Sequence, residues 1–169
     1  SDYSELAQSI ASQLVSNNYE CMVCTESIKH SVATWSCMDC HRLFHLYCMK
    51  KWSKQEDSGK GRTFRCPSCQ TDQENYPNKY RCFCKKVVDP LPSGFHTPHS
   101  CGEPCGKIRN EHCPHKCNLL CHPGPCADCN QKAPPKKCPC GQTTYTYPCG
   151  KADPKKTCEN ICGKSLNCG

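Results

Sequence analysis

Eight side chains able to bind a metal stand in four evenly spaced pairs: Cys21 and Cys24, Cys37 and Cys40, His45 and Cys48, Cys66 and Cys69. Two residues separate the members of every pair, a gap that lets a tight turn aim both side chains at one ion. Thiolate and imidazole are the ligands Zn²⁺ takes in tetrahedral sites, so four pairs supply two such sites. A thiolate committed to zinc is not a free nucleophile, and no covalent catalytic residue is expected among these cysteines.

Beyond residue 81 the spacing changes and a repeat of about 57 residues emerges. Cys82-x-Cys84 corresponds to Cys138-x-Cys140, and Cys101-x3-Cys105-Gly-Lys corresponds to Cys158-x3-Cys162-Gly-Lys. Cys113 matches Cys168, and His96 stands where Cys149 does. The first copy offers Cys82, Cys84, His96, His99, Cys101, Cys105 and His112, then Cys113, His115, Cys117, Cys121, His122, Cys126 and Cys129. The second offers Cys138, Cys140, Cys149, Cys158 and Cys162, and its run ends before partners equivalent to Cys117–Cys129, as a piece of a longer array would. Seven ligands between Cys113 and Cys129 exceed one ion's need and fall one short of two, so spacing leaves their grouping open. Neighbours such as His112 and Cys113 are expected to serve different ions, or one of them none. His41 and His30 are read as non-ligands, with Cys40 preferred to His41 because it keeps the two-residue gap.

Composition says what must hold these residues in place. The chain has 169 residues, with 22 Cys, 14 Pro and 10 Gly, and only 8% are aromatic. One apolar core does not easily stabilise so polar a chain, which leaves the work to cross-links. The eight His interspersed with the Cys favour zinc over disulfides. No secretory leader is visible at this start and no apolar run is long enough for a membrane, so a reducing compartment is expected, cytosol or nucleus. The formal charge of +7 counts every thiol as neutral. Twenty-two thiolates with roughly six Zn²⁺ bring it to about −3, so net charge is no argument for a nucleic-acid partner. Local clusters remain: Lys50, Lys51 and Lys54; Lys60, Arg62 and Arg65; Lys132, Lys136 and Lys137; Lys155 and Lys156.

The expected fold class is small and metal-stabilised: an N-terminal helix, a module whose ligand order of four Cys, one His and three Cys resembles a cross-brace RING, then a tandem irregular zinc-finger array with little regular secondary structure. Residues 1–18 hold an amphipathic helix, its apolar positions Leu6, Ala7, Ile10, Ala11, Leu14 and Val15 at helical period, with Asp2 and Glu5 fitting a capping box and Asn17 and Asn18 a stop. Residues 19–72 form the first zinc module, with a short helix over Arg42–Ser53. Residues 73–81 are a polar linker, 82–130 the first Cys/His-rich repeat, and 131–169 a second, truncated one. Two Zn²⁺ are expected in the first module and about four more in the array.

Two metal-binding families share the order of four Cys, one His and three Cys, RING and PHD fingers. In both, the first and third pairs bind one ion and the second and fourth the other. Three features resemble a RING: Val23 just before the second Cys, Trp52 four residues after Cys48, and Pro67 after the seventh ligand. In RING domains such positions form a shallow apolar groove that grips a ubiquitin-conjugating enzyme. Gln70 occupies the place after the last ligand where many active RINGs carry a cation, which puts full-strength activation in doubt. The four-residue gap from Cys40 to His45 and the aromatic Phe64 are instead PHD-like, and a methyl-lysine cage would draw on Tyr19 and Trp35.

The whole pattern resembles the X-box-binding nuclear factor family, with its atypical RING and its own type of Cys-rich zinc finger. Tyr19-Glu-Cys-Met-Val-Cys24, Trp35-Ser-Cys37, Phe44-His-Leu46 and Cys66-Pro-Ser-Cys69 carry the resemblance. The stretch Cys113-Pro-His-Lys-Cys117-Asn-Leu-Leu-Cys121-His-Pro-Gly-Pro-Cys126 is its most specific part. The resemblance implies a RING-type ubiquitin-protein ligase, a transferase without a covalent intermediate, with a conjugating enzyme, ubiquitin and a protein substrate as partners. It also implies transcriptional or DNA- and RNA-binding roles for the array, and a nuclear or cytoplasmic location. The alternative is a non-catalytic zinc-finger transcription regulator binding DNA or RNA, or a PHD-like reader of histone tails.

Overall fold

The computed structural model describes residues 3–56, 63–74 and 76–155. Asp2, Lys60, Arg62, Lys156, Cys158, Cys162 and Cys168 lie outside the described residues. Two helices and six very short strands are found among those described: α1 (Glu5–Val15), β1 (Thr34–Ser36), β2 (Leu43–His45), α2 (Leu46–Glu56), β3 (Phe64–Arg65), β4 (Asp72–Gln73), β5 (Lys136–Lys137) and β6 (Thr144–Tyr145). The chain divides into two compact units, the first made of Ser1–Lys107 and Cys117–Ala127, the second of Ile108–Lys116 and Asp128–Gly169.

In the first unit α1 starts at Ser4, whose Oγ accepts the Ala7 amide at 3.2 Å. It ends where Asn17 turns left-handed at φ 55° and the Asn18 amide reaches back to the Gln13 carbonyl. The Leu14 carbonyl also accepts His30 Nε2 at 2.8 Å, so His30 satisfies a helix end. Ala7, Ile10 and Leu14 face inward. The segment expected to be helical from Arg42 splits: Leu43–His45 pairs with β1, setting Trp35 opposite Phe44, and the helix begins only at Leu46. Cross-strand pairing buries Phe44 fully, which a helix starting at Arg42 would not do.

Phe44, Phe64, Met49, Leu14 and Ile28 are fully enclosed, and the same apolar cluster takes in Phe83 and the array cysteines Cys82, Cys105, Cys117 and Cys121. The first module and the start of the array therefore share one core. The 73–81 stretch, polar in composition, is fastened rather than a free linker. Gln73 Nε2 donates to Asp39 Oδ2 at 2.7 Å, the Tyr76 ring lies 5.6 Å from that of Phe64, and Tyr80 Oη hydrogen-bonds His99 Nδ1 at 2.7 Å. α1 also reaches the array, since Ser4 Oγ donates to the Pro125 carbonyl at 3.0 Å. A Cβ on Gly124, at φ +73°, would lie 2.8 Å from Ala7 Cα, so only glycine permits that approach.

The second unit is built on the β5–β6 hairpin, which pairs Lys136 with Tyr145 and Lys137 with Thr144. A bridge between Lys132 and Pro148 continues it.

Candidate metal centres

Five of the closely spaced ligand pairs sit on a knuckle whose next residue is left-handed, whereas His45 and Cys48 lead into α2. Thr25, His41, Gln70 and Lys85 follow Cys24, Cys40, Cys69 and Cys84 with φ between 59° and 65°, and Gly141 follows Cys140 at φ 81°. The amides of Thr25, Gln70, Lys85 and Gly141 return to the carbonyls of Cys21, Cys66, Cys82 and Cys138. That closed turn is what brings two sulfurs to one point. It also accounts for His41, which the knuckle uses for its backbone.

Five sets of four ligand atoms result, the atoms of each set within 4.8 Å of one another. Cys21, Cys24, His45 and Cys48 form one, and Cys37, Cys40, Cys66 and Cys69 another. These are the interleaved pairs of a cross-brace, with Cys40 rather than His41 as ligand. Three more come from the array: Cys82, Cys84, Cys101 and Cys121; Cys105, Cys117, His122 and Cys126; Cys113, His115, Cys129 and Cys149.

Distances test whether zinc fits. A tetrahedron with Zn–S bonds of about 2.3 Å has an S–S edge of about 3.8 Å. Cys37–Cys69, Cys40–Cys66 and Cys105–Cys126 are each 3.8 Å apart, and Cys84–Cys101 are 3.7 Å apart. The sulfur-to-imidazole separations at Cys24–His45, Cys117–His122 and His115–Cys149 are 3.3, 3.7 and 3.3 Å. Every cysteine among the described residues is unbridged. His122 Nδ1 donates to the Pro123 carbonyl at 2.9 Å, which leaves the Nε2 lone pair for an ion. The donor sets fit several zinc ions, and when bound these supply cross-links that fix the loops.

Electrostatics argues the same way. A hydrogen bond with Cys126 holds the Cys105 thiol down at about 3, against its burial, while the Cys126 thiol is driven far up by that bond and by desolvation. Cys121 is likewise pushed up to about 12 by Cys82 and by burial. Thiols crowded this closely share protons until a cation lets all of them ionise. A Zn²⁺ with four thiolates keeps a net charge of about −2, and two such sets flank Lys85. Its Nζ donates to Ser36 Oγ at 2.6 Å and to the Ser36 carbonyl at 3.3 Å. Burial lowers it to about 8, with Cys82 and Cys37 pulling the other way.

The seven ligands between Cys113 and Cys129 are thus parcelled among three sets. Cys121 and His122, adjacent in sequence, belong to different ones because neighbours on extended backbone point to opposite sides. Three expected histidine ligands join no set among the described residues. His99 is buried against Tyr80 and Phe83 and spends Nδ1 on Tyr80. His112 is exposed beside Glu111. His96 lies against Gly102, where a Cβ would come within 2.6 Å of its Nε2. The repeat explains His96: its counterpart Cys149 closes a set begun earlier in the array, and no earlier array copy precedes His96. Cys138 and Cys140 bring their sulfurs to 3.0 Å; Cys158, the repeat counterpart of Cys101, is outside the described residues.

The second repeat copies the first in geometry as well as spelling. Cys82 N to Val87 O and Cys138 N to Thr143 O are 3.0 and 2.9 Å. Val87 N to Cys82 Sγ and Thr143 N to Cys138 Sγ are 3.3 and 3.4 Å.

Of the residues expected to grip a conjugating enzyme, Val23, Trp52 and Pro67 are half-buried and Gln70 is exposed. Trp52 Nε1 donates to the Arg65 carbonyl at 2.8 Å, fixing the indole. Tyr19 and Trp35, the cage candidates, are each only 7% exposed. Tyr19 Oη accepts the Leu43 amide at 3.2 Å and Trp35 packs against Phe44 and Phe64, so both are core. Beside β1 runs a cleft of about 580 Å³, lined by Thr34, Trp35 and Ser36 and by Glu74, Tyr76, Asn78, Lys79, Arg81 and Lys85. Nothing in the sequence announced it, because part of its lining comes from the stretch read as a linker.

Residues 17–68 match the family described as Histone-lysine N-methyltransferase NSD-like, PHD zinc finger. Relatives extend over far more of the chain. The Transcriptional repressor NF-X1 homolog of Dictyostelium discoideum is 43% identical over 172 residues, covering 100% of this chain and 11% of that protein. The NF-X1-type zinc finger protein NFXL1 of Arabidopsis thaliana is 39% identical, covering 98% of this chain and 16% of that protein. The FKBP12-associated protein 1 homolog of Schizosaccharomyces pombe is 41% identical, covering 93% and 15%. The chain therefore spans less than a fifth of the length of these curated relatives. The ligand inventory, the repeat and these homologues agree along the whole chain, which belongs to the NF-X1-type, or X-box-binding, zinc-finger family.

Proposed function

We propose that this chain is a non-catalytic recognition segment of a nuclear transcription regulator, whose first module holds an extended peptide of a partner protein and whose array contacts nucleic acid. The observation that carries the peptide part is the open edge of β1. Cys37 N bonds Arg42 O and Leu46 N bonds Ala33 O, so alternation makes Trp35–Phe44 a hydrogen-bonded pair and turns the amides and carbonyls of Thr34 and Ser36 outward, the Ser36 carbonyl being taken by Lys85 Nζ at 3.3 Å. Among the described residues the β1–β2 sheet has no third strand, and the cleft lies beside β1. An added strand is a common mode of peptide recognition. The match to a PHD finger over this module supports it, and the names of the relatives support the transcriptional setting. Burial of Tyr19 and Trp35 speaks against a methyl-lysine cage, and Lys79 and Arg81 against one Glu74 favour an acidic or neutral peptide. Isothermal titration with an acidic peptide and with an unmodified histone H3 tail tests this. Tighter binding of the acidic peptide, lost in Lys79→Glu/Arg81→Glu protein that keeps its zinc, is expected. No binding of either peptide would remove the reading.

The positions of Val23, Trp52 and Pro67 favour a second reading, a RING-type ubiquitin ligase that orients a charged conjugating enzyme. All three are half-exposed on the zinc loops and on α2, which carries the sixth ligand, Cys48. On this reading purified protein forms ubiquitin chains with some member of a conjugating-enzyme panel. Val23→Arg or Trp52→Ala then abolishes them with zinc content unchanged, and Gln70→Arg, which adds the missing cation, speeds them. Silence across the panel leaves only the first reading.

A further inference from the structure

The second unit carries a surface that neither metal binding nor the peptide cleft uses. Lys132 to Lys137 run antiparallel to Thr144 to Pro148, with the Ala133 amide donating to the Tyr147 carbonyl at 2.8 Å. The two-residue period of extended chain puts Tyr145 and Tyr147 on one face. Both are half-exposed, with ring centroids 6.4 Å apart and planes 35° apart. Lys136 pairs with Tyr145 in register and sets its Nζ 5.8 Å from the Tyr147 ring centroid. Asp153 accepts from Tyr145 Oη and from Lys136 Nζ, each at 2.8 Å, which anchors the Tyr145 ring by its hydroxyl edge.

We propose that this hairpin face is a stacking platform for single-stranded nucleic acid, Tyr145 and Tyr147 each taking one unpaired base. This deepens the nucleic-acid part of the function proposed for the chain and is independent of the peptide cleft. Three observations point to a single strand. Aromatic faces accept any base and need no recognition helix, and the described part of this unit contains no helix. The 6.4 Å between rings is nearly twice the roughly 3.4 Å step of a duplex strand, so the rings suit splayed bases. The surroundings are basic: Arg109, Lys116, Lys132, Lys137, Lys151 and Lys155 accompany Lys136, against Glu111, Asp128 and Asp153 among the described residues. The one complete set of this unit, three Cys and a His, leaves about −1 with Zn²⁺ bound, so positive charge remains to meet phosphates.

The test is fluorescence polarisation of the zinc-loaded 169-residue chain with labelled single-stranded DNA and RNA of about twelve nucleotides and with a duplex of the same sequence, at about 50 and about 200 mM salt. Single strands are expected to bind at least about tenfold tighter than duplex. Tyr145→Ala/Tyr147→Ala should weaken that binding by about tenfold or more, while Tyr147→Phe, which keeps the ring, should leave it intact. Equal affinity for duplex, or full single-strand binding by the double variant, overturns the proposal. If the double variant loses zinc, Tyr147→Leu decides instead: it keeps the bulk and removes the π face, and unchanged binding would overturn the platform. Acidic-peptide binding at the β1 cleft is expected to survive every one of these changes, so the two parts fail separately.

Discussion

At the residue scale the decisive feature is the left-handed turn after the paired cysteines Cys21/Cys24, Cys37/Cys40, Cys66/Cys69, Cys82/Cys84 and Cys138/Cys140. Non-glycine residues lose about 1–2 kcal/mol there, yet Thr25, His41, Gln70 and Lys85 all adopt it, so metal binding has to offset that strain. The second repeat shows the relaxed solution, Gly141 at the position of Lys85. Lys85 has a compensating role as counter-charge between two four-cysteine sets, through Ser36. Lys85→Ala loses the charge and keeps the strain, whereas Lys85→Gly loses the charge and the strain together. The glycine variant is therefore expected to be more stable than the alanine variant by about 1 kcal/mol, measured by chemical denaturation in zinc-buffered solution. Equal stabilities would show that the ion, not the backbone, dictates this turn. Residue types foretold little of this, since Thr, His, Gln and Lys are not turn signals; the spacing of the sulfurs was the only hint.

At the scale of elements, α1 was legible from its period, and Leu14, Ile10 and Ala7 do face inward. Its partner was not legible. The helix packs on the first module and also meets Gly124 of the array, a contact bridging more than a hundred positions of sequence. Gly124→Ala faces both a positive φ and backbone 2.8 Å away, so a loss of about 2 kcal/mol or more is expected. Faster hydrogen exchange of the α1 amides should accompany it. Gly141→Ala is the control, with a similar φ and nothing within 4 Å of the added carbon, and should cost only about 1 kcal/mol. The misjudged start of α2 has a related origin. Leu43, Phe44 and His45 carry no helix breaker, and only pairing with Thr34–Ser36 decides that they are strand.

For the whole molecule, metal content is the quantity to measure. Native mass spectrometry of reduced protein is expected to find at least five Zn²⁺, one for each set among the described residues. Cys121→Ser and His122→Ala should each cost one ion and the double variant two, because these neighbours serve different centres. His112→Ala should cost none. A double variant that loses a single ion would disprove the parcelling. Strong chelation should unfold the first unit as a whole, since four sets and one apolar cluster are shared within it. No helix among the described residues is long and apolar enough to cross a membrane.

Ligand chemistry, the two cross-brace sites and the repeat followed from the amino-acid sequence alone, because a gap of one or two residues already confines two sulfurs to one ion. The array grouping, the duties of His96, His99 and His112, and the cleft beside β1 were decided only by tertiary structure. Their partners lie roughly twenty to forty residues apart, and which side of an extended strand a ligand faces depends on packing that no local spacing encodes.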